Sequence, residues 1–332
     1  MREPIAEALH QCVTGNPDKS EEILRGMDEQ DHPGIIFNLG WHTVRRGELN
    51  KGMKMMDAGR FLNAFGLPRI AGNIWRDEPL EGKTLLFRCE GGFGDQIINF
   101  RFAEDFKKLG ARVVIACAKD LMPIFSRHGY VCVDNEYVSC VHYDYWVPAM
   151  STAHMLGYEH ETLCGKPYLH SDNVKQLYSE QGKLKVGIKW SGRPEFEHEQ
   201  FRRFDPQPLI DLHEIPGVTL YSLQRDDNTI DGLPFADLRH QMTDWEATCS
   251  IIADLDLVIT SCTSIAHLAA AMGKETWVIV PIMPYYTWSV PGEKSSWYGS
   301  VRLFRQETYG NWAAPLANVR QRLLEKIVCA TL

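Results

Sequence analysis

The sequence of 332 residues lacks the features that would place it in a membrane, secreted or nucleic-acid-binding class. No stretch approaches the ~18 consecutive apolar residues of a transmembrane helix, so no membrane span is expected. The N-terminus has neither a basic start nor a long apolar run, so no secretory signal is visible. The net charge is −8 and no basic stripe appears, which disfavours general nucleic-acid binding. A chain that is 44% apolar and 23% charged is typical of globular domains.

Several common site signatures are also missing. The nine cysteines occur singly with no CxxC pair, which argues against a disulfide framework and a structural zinc site and favours a reducing cytoplasm. The twelve histidines form no HExxH or HxH arrangement, and no GxSxG elbow, P-loop or GxGxxG fingerprint is present. We therefore predict that the protein uses neither a metal ion nor a resident cofactor.

Residues 1–78 are predicted to be helical. Apolar residues recur at four-residue spacing near the start, and Asn16-Pro17 interrupts the pattern. Two helices joined by a turn at Gly47 follow, and this hairpin resembles one tetratricopeptide repeat, although Gly52 and Gly59 stand where that repeat has alanines. Because stable arrays need about three repeats, we interpret the hairpin as a remnant that packs on the next domain. A peptide-binding array is the alternative.

The remainder alternates short apolar runs with amphipathic segments, which predicts parallel β-sheets covered by helices. A first α/β unit, 79–175, contains predicted strands at 83–90, 111–117, 130–133 and 143–148, and one helix is predicted over 97–110. A linker near 168–182 precedes a second α/β unit, 182–310. Its predicted strands lie at 183–192, 218–224, 256–261 and 275–281, and a final helix lies in 311–332. Ligands of such sheets bind at the carboxyl ends of the strands.

The first motif at a strand end is Glu90-Gly91-Gly92-Phe93-Gly94-Asp95. Glycines after a strand let a helix start close to a ligand, and the free N–H groups there attract anions. Asp95 is a candidate general base. The alternative is a helix cap that accepts the N–H of Ile97 or Ile98.

The second motif ends the strand at 183–192. Lys189, Ser191 and Arg193 supply charge and hydrogen-bond donors suited to a phosphate, and Arg202 and Arg203 follow within one loop. The alternative is an ordinary surface turn with solvated cations.

The third motif lies between a strand and a helix, where Thr263 and Ser264 precede His267. Backbone N–H groups at this helix start, together with the helix dipole, suit a diphosphate. Ser264 and His267 are three residues apart and share one helix face. The alternative is a hydroxyl cap beside a histidine whose hydrogen bonds are satisfied in the core.

Two further patterns carry weaker signals. Asp254 and Asp256 have the spacing of a metal-binding DxD, but they lie between a helix end and a buried strand, so a turn role is expected. An aromatic-rich stretch over 285–298 is expected to pack in part, with the rest available to stack on a sugar or base.

These motifs together resemble a known family. The segments VGIKWSGRPEF, MTDWEAT and ADLDLVITSCTSIAHLAAAMGKETWVIVP are similar to the glycosyltransferase-like part of bacterial tetratricopeptide-containing proteins, and to glycosyltransferase family 9, the lipopolysaccharide heptosyltransferases. EGGFGDQI is similar to the first domain of the same group. The resemblance covers roughly residues 83–328.

The resemblance implies a GT-B fold, which consists of two Rossmann-like domains facing a cleft, with the terminal helix crossing back to the first domain. It also implies an inverting transfer that needs no metal. A nucleotide-sugar donor would bind the second domain and an acceptor the first. Glycans, lipid-linked glycans and protein side chains all remain open as acceptors.

Site roles follow from the same resemblance. Asp95 matches the proposed catalytic base, and Glu90, Gly92 and Gly94 fall on the acceptor side. The donor side is larger: Lys189 and Ser191 fall near the phosphates, Met242 and Thr243 near the nucleoside, and Thr263, Ser264 and His267 in the phosphate loop.

One position departs from the family pattern. The family commonly has Asp two residues before the serine of the phosphate loop, and Cys262 stands there in this sequence. Cys262 is either a change that affects the donor or an inert buried thiol. A degenerate nucleotide- or glycan-binding protein without transfer activity is therefore one alternative. A nucleotide-sugar epimerase or hydrolase on the same fold is the other.

Overall fold

A computed structural model describes residues 3–65, 70–196, 198–225 and 228–331. The chain divides into two compact units, residues 1–9 with 17–163 and residues 10–16 with 164–332. Within the described residues, no helix is both long enough and apolar enough to cross a membrane.

The first unit begins with the predicted helical region. Its helices are α1 (Glu3–Val13), α2 (Pro17–Arg25), α3 (Pro33–Arg45) and α4 (Leu49–Met56), followed by a 3-10 helix, Asp57–Leu62. The predicted break at Asn16-Pro17 and the hairpin with its turn at Gly47 are confirmed, and Gly47 has the positive φ of 95° that the turn requires. The likeness to a tetratricopeptide repeat stays a prediction.

The unusual glycines of the hairpin have a packing role. A Cβ atom on Gly52 would lie 2.5 Å from Val44 Cγ2, and one on Gly40 would lie 2.9 Å from the Gly52 carbonyl oxygen. Helices α3 and α4 therefore approach each other too closely for alanine at these positions.

The first sheet has five parallel strands in the order β1-β5-β2-β3-β4. The strands are β1 (Asn73–Ile74), β2 (Thr84–Arg88), β3 (Arg112–Cys117), β4 (Val131–Asp134) and β5 (Tyr145–Pro148). The four predicted strands are confirmed. The prediction of helix throughout 1–78 was wrong near its end, because β1 extends the sheet edge there. Two residues are too few for a periodic signal.

Short helices connect these strands: α5 (Phe93–Phe100), α6 (Ala103–Lys108), α7 (Met122–Ser126) and α8 (Thr152–Met155). The single helix predicted over 97–110 is wrong in detail, since α5 and α6 are separate. The N–H of Phe102 bonds the carbonyl of Asn99, three residues back, so the chain tightens between them.

The second unit contains six parallel strands in the order β11-β10-β9-β6-β7-β8. The strands are β6 (Leu184–Lys189), β7 (Val218–Ser222), β8 (Ala236–Asp237), β9 (Leu257–Ser261), β10 (Thr276–Val280) and β11 (Val301–Arg305). The helices are α9 (Glu199–Arg202), α10 (Gln207–Ile210), α11 (Trp245–Asp254), α12 (Ser264–Ala271) and α13 (Ala313–Thr331). The four strands predicted for this unit are confirmed.

The terminal helix packs on the second sheet. Leu316, Val319 and Leu323 of α13 join the buried cluster that contains Val186, Ile259 and other sheet residues. The predicted return of this helix to the first α/β unit, and the predicted domain limits, stay predictions.

The second sheet also settles the role of the DxD pair. Asp254 Oδ2 accepts the N–H of Leu177 at 2.7 Å and lies 2.7 Å from Lys185 Nζ, while Asp256 Oδ2 accepts the N–H of Lys185 at 2.8 Å. Both carboxylates therefore serve the amino end of β6, and the predicted turn role is confirmed.

Candidate functional site

The loop after β2 carries Asp95 at the third position of α5. Asp95 Oδ2 accepts the N–H of Gly92 at 2.8 Å, so the carboxylate reaches back over the start of its own helix. Gly91 has a φ of +69°, and a Cβ there would lie 2.4 Å from Asp95 Oδ2. The structure thus shows a capping contact different from the Ile97 or Ile98 contact considered above. Asp95 is half-buried, and its role as a base stays a prediction.

Glu90 lies at the base of the same loop and is buried. Its carboxylate is paired with the guanidinium of Arg60 through both oxygens, and Oε2 accepts the N–H of Met150 at 3.3 Å. Gly92 is exposed and Gly94 half-buried, so the loop crest contacts solvent while its base is fixed by charge.

The end of β6 places Lys189 and Ser191 in buried positions. Ser191 Oγ accepts a hydrogen bond from Gln224 Nε2 at 3.0 Å, and Gln224 Oε1 accepts the N–H groups of Trp190 and Ser191 at 3.3 and 3.2 Å. The fully buried Gln224 amide therefore fixes the backbone immediately after Lys189. Ser191 has a protein partner, and Lys189 is the last residue of β6 at the carboxyl end of the sheet.

The two arginines of the following loop differ. Arg202 donates to Glu199 and to the carbonyl of Cys262, and its guanidinium lies 4.6 Å from the centroid of the Phe196 ring. Arg203 is exposed. Arg202 therefore clamps the loop after β9, and Arg203 is the cation of the pair that faces solvent.

The loop after β9 leads directly into α12. Thr263 has the extended backbone of an N-cap, and in the structure as described its side chain makes no bond to the first N–H groups of α12. Its hydroxyl instead pairs with Thr260 Oγ1 at 3.2 Å. Ser264, the first residue of α12, is half-buried. The start of α12 therefore keeps the uncapped N–H groups that favour an anion.

His267 lies in an aromatic cluster. It is 3% exposed, stacks on Trp288 with centroids 5.0 Å apart, and its Nδ1 lies 3.3 Å from the Tyr298 hydroxyl. This placement matches the alternative of a histidine satisfied in the core. Of the aromatic stretch, four members are fully buried and one is half-buried, as expected for a segment that packs in part; they are Tyr286, Trp288, Trp297 and Tyr298, and Tyr285.

Cys262 has the surroundings of an inert thiol. It is buried, its Sγ accepts the indole N–H of Trp288 at 3.1 Å, and burial raises the pKa of the thiol. A thiol in this state is protonated and unreactive at neutral pH. All nine cysteines lie in the described ranges, and none of them forms a disulfide there.

The predicted nucleoside residues occupy the segment before α11. Met242 is buried, and Thr243 is exposed with its carbonyl accepting from Arg225 at 3.3 Å. Asp244 caps α11 by accepting the N–H of Ala247 at 2.7 Å.

Sequence reasoning missed Arg305, the last residue of β11. Its guanidinium donates to the carbonyls of Gly292 and Val290 at 2.7 and 2.6 Å, and burial lowers its pKa to about 10. No carboxylate of the described residues pairs with it. Arg305 ends a strand just as Lys189 does, so a prediction of β11 would have pointed to it. The sequence analysis did not predict β11.

The two sheet edges thus differ in chemistry. The first carries a carboxylate on a glycine loop, and the second carries a buried lysine, an exposed arginine and a helix start that the Thr263 side chain does not cap. The described portion of the chain contains no group of three or more His, Cys, Asp or Glu side chains placed to hold a metal ion.

Comparison with known proteins identifies the fold. The chain superposes on the glycosyl transferase family 9 protein of Veillonella parvula with a TM-score of 0.53 at 8% identity, over 77% of this chain and 99% of that one. It superposes on the dodecameric iron-containing heptosyltransferase TibC of Escherichia coli, solved with ADP-D-β-D-heptose, with a TM-score of 0.51 at 12% identity, over 76% of both chains. The two parallel sheets therefore have a GT-B-like arrangement of strands and helices, of the kind found in family 9 glycosyltransferases, and the predicted fold is confirmed.

Sequence comparison adds one relative. FlbA of Caulobacter vibrioides is 26% identical over 96% of this chain and 58% of FlbA, so the chain spans less than two thirds of that protein. No model of a known protein family matches the chain.

Proposed function

We propose that the protein is an inverting glycosyltransferase that moves a sugar from a nucleotide-sugar to an acceptor hydroxyl without a metal ion or resident cofactor. The observation that carries the proposal is the pairing of a family 9 fold with two chemically different sheet edges, one bearing Asp95 and the other bearing Lys189 and the start of α12. A reducing cytoplasm suits the absence of disulfides among the nine cysteines, all of which the structure describes.

In the proposed reaction the acceptor oxygen attacks the anomeric carbon while the bond from that carbon to the diphosphate oxygen breaks. The hydroxyl proton passes to the Asp95 carboxylate, which accepts the backbone N–H of Gly92 at the start of α5. General-base assistance of this kind contributes about 10²–10⁴-fold.

The leaving diphosphate gains negative charge as its bond breaks. Lys189, Arg203 and the N–H groups at the start of α12 stabilise that charge in place of a metal ion. Two hydroxyl groups near the donor already have protein partners, those of Ser191 and Thr263, so both residues shape the backbone around the donor. Met242 is buried and has the same structural role. Thr243 is exposed and remains the nucleoside-side candidate.

The proposal is tested by thermal shift with ADP-, UDP-, GDP-, CDP- and dTDP-sugars and the free diphosphates, in EDTA. ADP-heptose is the first donor to try, because TibC was solved with it. A ligand at about 100 times its Kd adds about 2.7 kcal/mol of stability. A shift with one nucleotide class that survives EDTA, followed by sugar transfer in an acceptor screen, is expected. A shift that appears only with added divalent metal contradicts the metal-free site.

One observation favours a second candidate, a nucleotide- or glycan-binding protein without transfer activity. The position of the usual family acid carries a buried thiol, and Arg202 beside it is bound to Glu199. This candidate predicts nucleotide binding with no product from any acceptor.

A further inference from the structure

A partly buried charge network joins the helical region to the carboxyl edge of the first sheet. Arg60, in the 3-10 helix Asp57–Leu62, pairs with both oxygens of Glu90 and donates to Ser151 Oγ at 2.7 Å. Glu90 follows β2 and Ser151 follows β5, so one guanidinium contacts the ends of two neighbouring strands.

The network continues to a second carboxylate on the same 3-10 helix. Ser151 Oγ donates to Asp57 Oδ1 at 2.6 Å, and His154 Nε2 lies 2.8 Å from Asp57 Oδ2. Burial alone would raise the pKa of Asp57, but the hydrogen bond from His154 and the charge of Arg60 hold that pKa below its usual value. Arg60 therefore lies between the carboxylates of Asp57 and Glu90.

The helical region also contacts the next residue of the loop. The N–H of Gly91 donates to the carbonyl of Phe65 at 3.1 Å, and the Arg60 guanidinium lies 4.9 Å from the centroid of the Phe65 ring. Consecutive loop residues are thus held in sequence. Arg60 holds Glu90, Phe65 holds Gly91, and Asp95 holds Gly92.

We propose that Arg60 and Asp57 are positioning residues for the Glu90–Gly92 loop and, through it, for the Asp95 carboxylate. The helical region is then an integral part of the acceptor side, in addition to its packing role. This inference rests on the proposed function, in which Asp95 receives the acceptor proton. A carboxylate that is misplaced by about 1 Å loses much of its catalytic contribution.

A purely structural role predicts a different behaviour. A buried ion pair contributes little net stability compared with apolar side chains of similar volume, because both charges lose their hydration. Replacing both partners together leaves no unpaired charge. The double variant Arg60→Met/Glu90→Met is therefore expected to fold, and it separates stability from positioning.

The experiment compares three variants with the wild type. Arg60→Met/Glu90→Met removes the Arg60–Glu90 ion pair. Asp57→Asn weakens the network without changing Glu90 or any other residue of its loop. The matched control, Lys185→Met/Asp254→Asn, removes an ion pair of 2.7 Å at the amino end of β6. The readouts are kcat, the KM values for donor and acceptor, and amide hydrogen exchange at Gly91 and Gly92.

We expect kcat to fall at least tenfold in the double variant and about threefold in Asp57→Asn. The donor KM should be unchanged in both, and the control should stay within twofold. Because Asp57→Asn leaves Glu90 intact, its lowered kcat distinguishes positioning from loss of a direct Glu90 contact. A kcat within twofold of wild type in both network variants overturns the inference, while a wild type that transfers sugar leaves the proposed function standing.

A wild type that transfers sugar to no acceptor overturns the proposed function instead, and amide exchange then decides the positioning inference. Faster exchange at Gly91 and Gly92 in the double variant than in the control supports it. Equal exchange overturns it.

Discussion

The carboxyl edges of the two sheets are held in place by different kinds of side-chain interaction. At the first edge, the Arg60 guanidinium lies between the carboxylates of Glu90 and Asp57. At the second edge, the Gln224 amide and the aromatic cluster around His267 fix the backbone, and the Arg202–Glu199 pair holds the loop after β9. A proton acceptor needs a carboxylate held at a defined angle, whereas a diphosphate needs uncommitted donors and positive charge. Under the proposed function, the first unit supplies the base and the second binds the donor diphosphate.

The largest expected effect concerns the base. Asp95→Asn keeps the shape and the capping contact to the Gly92 N–H but removes the group that receives the proton, so turnover should fall at least about a hundredfold. Donor binding, measured by thermal shift, should stay unchanged. Turnover close to wild type would show that the first edge does not supply the base.

The second prediction concerns charge on the second sheet. Lys189→Gln should raise the donor Kd by about tenfold or more, because a charge-assisted hydrogen bond contributes about 1.5–3 kcal/mol. Lys185→Gln is the matched control, since it changes the same residue type four positions earlier on β6, at the strand's amino end beside Asp254. Equal donor affinities for the two variants, measured by calorimetry, would remove Lys189 from the donor site.

The third prediction concerns the stability of the first unit. Burial lowers the pKa of His42 to about 4, and its Nε2 pairs with Ser20 Oγ at 3.1 Å. In the unfolded chain, the His42 imidazole binds a proton below about pH 6.5. Stability is therefore full above that pH and falls as the pH drops towards 4, by about 2 kcal/mol between pH 7 and 5.

Denaturant unfolding at pH 7 and pH 5 measures this loss of stability, with a spectroscopic probe in the first unit as the readout. His42→Gln cannot titrate in this range and should show a smaller loss than wild type. An equal loss in the two proteins would contradict the assignment to His42.

The smallest expected effect is on donor affinity and concerns Cys262, the residue that departs from the family pattern. Because Cys262 is buried with a raised pKa, a thiol reagent should label the exposed Cys140, Cys164 and Cys329 in the folded protein and leave Cys262 unmodified. Cys262→Ala should change donor affinity less than about twofold. Rapid labelling of Cys262, detected by mass spectrometry of peptides, would show a reactive thiol at the second edge.

Sequence patterns located most strands because parallel strands buried on both faces form short apolar runs bounded by turns. They failed for Asn73–Ile74 and Ala236–Asp237, which are too short to show a period, for Val301–Arg305, and for the division between α5 and α6. The positions of Glu90, Asp95, Lys189 and Ser264 at strand ends and helix starts followed from the same patterns. Their partners did not, since Arg60 precedes Glu90 by 30 residues and Gln224 follows Ser191 by 33.

The sequence by itself determined the alternation of strands and helices, the glycine loop that carries Asp95, and the family to which the fold is similar. Only the tertiary structure decided which polar side chains already have partners within the protein. It placed His267 in an aromatic cluster, bound Arg202 to Glu199 and to the Cys262 carbonyl, and brought Arg60 and Asp57 close to the loop after β2. Hydrophobic periodicity is a local property that a sequence displays directly. The pairing of buried polar groups depends on which distant segments meet, because each must find a partner once water is excluded.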